Sequence, residues 1–211
     1  MNYDDRYQAG RVLVDSLKNY AKRTDVIVLA LPRGGVPVAY EIAHKLSLPL
    51  DIFIVRKLGV PGHEELAMGA IASGGITVLN EEIVNLLHIS TEAINNIQKS
   101  EQEELLRRER VYRGTKPSPE LLGKTIILVD DGIATGYTMR AAIAALKQKK
   151  PAKLIVAIPV AARSTCEEIA PLVDEIICPM RPVNFYAVGL WYNDFSQTTD
   201  EEVVHLLQQH E

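Results

Sequence analysis

Three observations predict an α/β fold built on a doubly wound parallel β-sheet flanked by helices. Short, continuously apolar runs of strand length recur at 26–31, 50–55, 125–129, 153–160 and 174–178. Segments with apolar residues at three-to-four spacing lie between most of them, as strands joined by helical crossovers require. The runs show no apolar–polar alternation, which is how strands buried on both faces of a parallel sheet read. At 211 residues and 47% hydrophobic content, one domain could bury about 70% of the unfolded surface. Residues 1–211 are therefore read as a single domain.

The elements follow in order. Tyr7, Val12, Leu13, Leu17 and Tyr20 set a helical period at the start. The run Val26–Leu31 predicts a strand, closed by Pro32-Arg33-Gly34-Gly35. Val38, Ile42 and Leu46 predict a helix over 36–46, and residues 50–55 the next strand. Gly59, Pro61 and Gly62 then predict a loop over 57–66. Two short extended pieces flank Gly74-Gly75, a hairpin signal. Helices are expected at 81–88 and 91–112, the second capped by Ser90 or Thr91. Glu103–Arg107 and Glu104–Arg108 stand in the favourable i,i+4 order on it, and its charge density predicts a solvated surface. Residues 81–115 are thus a helical insertion, with Lys116-Pro117-Ser118-Pro119 as linker. The strand–helix pattern resumes with a strand at 125–129, a helix to about Lys149 and a strand at 153–160. A helix near 164–170, a strand at 174–178 and a helix near 199–209 complete it.

Composition disfavours several functions. Lys+Arg 23 against Asp+Glu 27 gives a net charge of −4, whereas proteins that grip phosphate backbones are usually basic, so no nucleic-acid partner is expected. The longest apolar stretch, 154–162, holds Pro159 and falls far short of the ~20 residues of a membrane helix. The acidic, polar start of the chain is unlike a signal peptide. Cys166 and Cys178 stand without a CxxC pattern or a nearby histidine pair and read as reduced thiols. A cytoplasmic protein with no membrane partner is expected.

The segment 126–139, Ile-Ile-Leu-Val-Asp-Asp-Gly-Ile-Ala-Thr-Gly-Tyr-Thr-Met, carries the chemistry. A buried strand delivers Asp130 and Asp131 at its carboxyl end, where open α/β sheets bind ligands. The loop Gly132-Ile133-Ala134-Thr135-Gly136-Tyr137-Thr138 then runs into a helix N-terminus. Such a loop can aim several backbone N–H groups at one phosphate, with the Thr135 and Thr138 hydroxyls as added donors. Gly132 and Gly136 permit close approach and unusual φ values. Two carboxylates beside an anion cup suit a ligand that has both hydroxyls and a phosphate, as a ribose 5-phosphate has. A strand ending in a solvated acidic turn is the rival for Asp-Asp alone. The complete string of small and hydroxyl residues argues against it. No Gly-Lys-Ser/Thr P-loop and no Gly-x-Gly-x-x-Gly occurs.

Residues 126–139 resemble the 5-phosphoribosyl-1-pyrophosphate (PRPP) motif of type I phosphoribosyltransferases, and the resemblance extends over about 25–195. Pro32-Arg33-Gly34-Gly35 resembles the family's pyrophosphate loop, which often holds a cis non-proline bond; this implies pyrophosphate binding by Arg33, Gly34 and Gly35. Arg56-Lys57 with Gly59-Val60-Pro61-Gly62-His63-Glu64-Glu65 resembles the mobile catalytic loop, over 57–66, closest to adenine phosphoribosyltransferases. Residues 180–195 resemble the base-covering hood strand, with Phe185, Tyr186 and Trp191 as stacking candidates, core packing being the rival for Phe185 and Trp191.

The resemblance implies transfer of the 5-phosphoribosyl group from PRPP to a nitrogenous, nucleobase-like acceptor with release of pyrophosphate. Mg²⁺ would arrive on PRPP, with no metal site from the protein directly. Asp130 and Asp131 would hold the sugar, while Arg33, Arg56, Lys57 and backbone amides would stabilise the leaving group. Asp130, Asp131, Arg56 and Lys57 are the implied catalytic residues, and a homodimer is implied. Two departures set this chain apart from hypoxanthine-guanine enzymes: Ala134 stands where they carry an Asp, and residues 159–162, Pro-Val-Ala-Ala, lack their base-reading Lys. Glu64 or Glu65 could supply the missing proton relay. A non-catalytic sensor of PRPP or a nucleotide, on the same fold, is the alternative. A receiver-like acidic pocket is disfavoured, because receivers place paired acids after the first strand.

Overall fold

The three inner strands of the central sheet each feed two cores at once. The computed structural model describes residues 1–211. In β1 (Val26–Ala30), Val26, Val28 and Ala30 enter one core while Ile27 and Leu29 enter the other. In β6 (Thr125–Val129), Ile127 and Val129 divide from Ile126 and Leu128 in the same way. Every residue of both strands is buried. That is the physical reason their sequences lack alternation: both pleat faces are covered by helices.

The sheet is completed by β2 (Leu50–Ile52), β7 (Lys153–Ala157) and β8 (Glu175–Ile177), in the order β2-β1-β6-β7-β8, with every pair parallel. The covering helices include α1 (Arg6–Val14), α2 (Gly35–Leu46), α5 (Tyr137–Gln148), α6 (Arg163–Ile169) and α7 (Asp200–Gln209). The chain leaves β1 for β2 on one side and returns through β6 on the other. The carboxyl ends of β1 and β6 therefore meet at the switch point, where such sheets bind ligands. No helix is long and apolar enough to cross a membrane.

A separate antiparallel sheet corrects the expected loop. β3 (Val55–Val60), β4 (His63–Ala72) and β5 (Ile76–Leu79) form a three-stranded meander. Residues 57–66 thus form most of the β3–β4 hairpin. Its register shifts on both sides of Gly59, and Gly62, at φ 78°, turns the tip. The breakers mark a bulge and a turn, and sequence punctuation does not separate those from an open loop. The strand expected over 50–55 is divided for a related reason. β2 ends at Ile52, Phe53 and Ile54 are buried in opposite cores, and Val55 begins the second sheet.

The helical insertion is α3 (Glu81–Leu86) and α4 (Thr91–Arg113). Most of α4 is solvated, as its charge predicts, but Ile94, Leu105 and Tyr112 are buried. Near its C-terminus the buried Arg113 donates from Nε to Asp51 Oδ1 at 3.0 Å and from Nη2 to the Ile52 carbonyl at 3.1 Å. Gln98 donates to Thr77 Oγ1 at 2.8 Å. The helix is therefore fastened to both sheets. The expected hood strand is another correction: the only regular structure in 180–195 is a 3₁₀ turn, Val188–Trp191. Main-chain pairing there is limited to single bridges: Met180 pairs with Val160, just past β7, and Tyr192 pairs with Tyr3, which staples the segment to the N-terminus.

Candidate active site

The loop after β6 is held from behind and open in front. Ile133 N donates to the Val160 carbonyl at 3.0 Å, and Thr165 Oγ1 donates to the Ala134 carbonyl at 3.1 Å. Those bonds face the sheet side and leave Ala134 and Thr135 exposed. Gly136 is the N-cap of α5 at φ 80°, a conformation that favours glycine, and it has no side chain to cap the helix. A Ser, Thr or Asp there would satisfy a first-turn donor. Instead the main-chain N–H groups of Ala134, Thr135, Gly136, Thr138 and Met139 find no acceptor in the chain. Five unpaired donors at and just before the positive end of a helix make a cup suited to an anion. Tyr137 points away, its hydroxyl donating to the Gly69 carbonyl at 3.2 Å.

The two acids sit directly beneath the glycines of the β1–α2 loop. A Cβ on Gly34 would lie 2.1 Å from Asp131 Oδ2, and one on Gly35 would lie 2.8 Å from the Val129 carbonyl. Both positions must be glycine for the loops to approach this closely. The Pro32–Arg33 peptide bond is cis, as the resemblance implies. On the far side, a Cβ on Gly132 would lie 2.6 Å from Val188 Cγ1, so the 3₁₀ turn Val188–Trp191 packs against the acids' own loop.

A residue absent from the motif completes the acid pair. Arg6, on the first turn of α1, donates from Nε to Asp131 Oδ2 at 2.9 Å, in a pair with side chains only 11% and 14% exposed. Its guanidinium also donates to the Ser196 carbonyl at 2.6 Å and lies 4.0 Å from the centre of the Phe195 ring. Asp5, the N-cap of α1, accepts from Gln8 N and fixes that turn. The one sequence signal for Arg6 was a cation at the opening of the first helix, which does not reveal its partner 125 residues away. Burial and then the charge of Asp131 push the Asp130 carboxyl well above the ordinary range. Burial also raises Asp131, with Arg6 pulling the other way. Tyr192 donates its hydroxyl to the Asp131 carbonyl at 2.6 Å, and burial followed by Asp131 raises its own pKa.

The remaining expected residues divide. Arg33 stands at the rim of a cavity of about 260 Å³ that reaches Thr138. Arg56 and Lys57 do not line that cavity: Arg56 is paired with Glu101 of α4 at 2.5 Å, and Lys57 donates to the Glu65 carbonyl at 3.2 Å. Phe185 is buried with Tyr3, Ala9, Val160 and Tyr192 in a small third core, and Trp191 donates from its indole N–H to the Phe185 carbonyl at 3.0 Å. Those rings are packed inward, in the core that residues 180–195 share with the N-terminal segment. Tyr186, 83% exposed and at φ 62°, is the aromatic that faces solvent.

A family model described as "Phosphoribosyl transferase domain" matches residues 2–189. The chain belongs to the phosphoribosyl transferase family. Two proteins of Mycobacterium tuberculosis, from strains CDC 1551 and H37Rv and each named "Putative phosphoribosyl transferase", are 42% identical to it over 205 residues. The match takes in 97% of this chain and 46% of theirs, so this phosphoribosyl transferase chain spans about half the length of the curated relatives it matches. The crystal structure of TT1426 from Thermus thermophilus is 36% identical, with a TM-score of 0.87 and 99% of each chain covered.

Proposed function

We propose that this phosphoribosyl transferase binds PRPP and transfers its 5-phosphoribosyl group to a nitrogenous, nucleobase-like acceptor, releasing pyrophosphate. The observation that carries the reading is the cup of five unpaired main-chain donors beside Asp130 and Asp131. The cup suits the 5-phosphate, and the carboxylates suit the ribose hydroxyls. In this reading Arg33 and the Gly34-Gly35 loop receive the charge that collects on departing pyrophosphate, and the acids tolerate positive charge on the ring. Arg6 holds Asp131 in place. Mg²⁺ would arrive on PRPP, whose phosphate and hydroxyl oxygens are the ligands it takes, and would neutralise diphosphate charge. A cytoplasmic setting and a homodimer belong to the same proposal, on the family resemblance.

The test is pyrophosphate release from PRPP with Mg²⁺ across adenine, hypoxanthine, guanine, xanthine, uracil, orotate and ammonia. Release with one acceptor, reduced at least 100-fold in Asp131→Asn, is the expected result. Release that the variant leaves intact would overturn the site. PRPP binding with no release from any acceptor would transfer the reading to a PRPP sensor on the same fold.

A further inference from the structure

The cavity beside the cup joins residues of both phosphate-loop motifs to residues of α4 that neither motif contains. It lies over the carboxyl ends of β1 and β2, bounded by Arg33, Phe53, Arg107, Arg108, Tyr112 and Thr138. Three of these six are arginines, and two come from α4, the insertion. Against them stand two carboxylates. Asp200 lies 3.7 Å from Arg33 and accepts the Tyr112 hydroxyl at 2.7 Å. Glu104, one turn back on α4, accepts from Arg107 at 2.6 and 2.8 Å and from Arg108 at 3.2 Å. The local sum is one net positive charge.

The arginines are poised rather than spent. Arg107 grips Glu104 through Nε and Nη2, and Arg108 through Nε alone, so Nη1 of Arg107 and both Nη groups of Arg108 have no acceptor in the chain. The backbone beneath them is fixed by buried Leu105, by Tyr112 on Asp200 and by Arg113 on β2. A guanidinium fork matches phosphate oxygens two at a time, and a wall with three forks matches a group with two phosphates.

We propose that Arg107 and Arg108 are diphosphate-binding residues, forming with Arg33 the cationic side of the leaving-group site. This rests on the functional reading above and deepens it: the insertion helix supplies charge at a cavity that Arg56 and Lys57 do not line. Thr138, shared by the cavity and the cup, joins the two subsites.

Calorimetric titration of the full chain with inorganic pyrophosphate, and separately with ribose 5-phosphate, tests this. Wild type is expected to bind both. Arg107→Ala/Arg108→Ala is expected to weaken pyrophosphate at least about tenfold and leave ribose 5-phosphate within about twofold. Arg108→Gln, which gives up a single 3.2 Å bond, is the gentler variant, expected to weaken pyrophosphate about threefold with an unchanged melting temperature. Pyrophosphate affinity equal to wild type in both variants, or no pyrophosphate binding by wild type, overturns the inference. The functional reading fails on the other arm, if ribose 5-phosphate does not bind while pyrophosphate binding still depends on the arginines.

Discussion

The cleft has two walls made of different material. Along β6–α5 and β1–α2 the wall is main chain: unpaired N–H groups, with glycines where a Cβ would meet Asp131 or Val129. Along α4 it is side chain: guanidinium groups on an exposed helix face, brought over the sheet by a docked insertion. A main-chain wall is rigid and specified within a dozen consecutive residues. A side-chain wall is adjustable, and it depends on packing elsewhere. Substitution should therefore damage the first through stability and the second through affinity alone.

Gly34→Ala is the strongest test of that contrast. Its Cβ would press on the Arg6–Asp131 pair, so a loss of about 1–3 kcal/mol in urea denaturation is expected, as for overpacking, together with loss of PRPP binding. A variant that unfolds and binds like wild type would show a loop free to move and dissolve the distinction.

Arg6→Met should come next. It leaves the Asp131 carboxylate enclosed without its cation, at a cost of roughly 2–3 kcal/mol at neutral pH, the low side for a buried pair because some water reaches it. Removing Arg6 raises an already raised folded-state pKa further. An acid so placed is destabilising above its folded pKa, and the penalty fades as pH falls through that value. The gap between variant and wild type in urea midpoint should narrow on acidification; a gap independent of pH would mean that Arg6 acts by packing on Phe195.

Asp130→Asn should have the smallest effect on stability, in the opposite direction. The raised Asp130 pKa means that the wild type loses stability as pH rises from the unfolded carboxyl's pKa to the folded one, and carries the full penalty above it. The amide removes the penalty and keeps an oxygen for the Asp131 N–H bond. The variant should gain on wild type at neutral pH and coincide with it below about pH 4, where the unfolded carboxyl is also protonated. Parallel midpoint-against-pH curves would contradict the burial of Asp130.

Legibility follows the same line as the walls. The runs 26–31 and 125–129 were readable as doubly buried strands because local composition reflects cover on both faces. Asp130 to Thr138 were readable because main-chain geometry needs particular small residues in sequence. The hairpin at 57–66 was not, since Gly59 and Pro61-Gly62 serve a bulge and a tip as well as they serve a loop. Phe185 and Trp191 remained divided between stacking and packing, because an aromatic ring suits both, and only the Tyr3–Tyr192 bridge shows residues 180–195 closing on a core shared with the N-terminal segment.

By itself the sequence determined a parallel α/β sheet, the place of its acidic pair and the small-residue loop that follows it, all of them properties of consecutive residues. The tertiary structure decided that Arg6 partners Asp131, that Arg56 is held by Glu101, and that Arg107 and Arg108 overlook the ends of β1 and β2. Those pairings join residues from 45 to 125 positions apart or from separate elements. A charged side chain on a solvated helix carries no local mark of what the fold will bring before it.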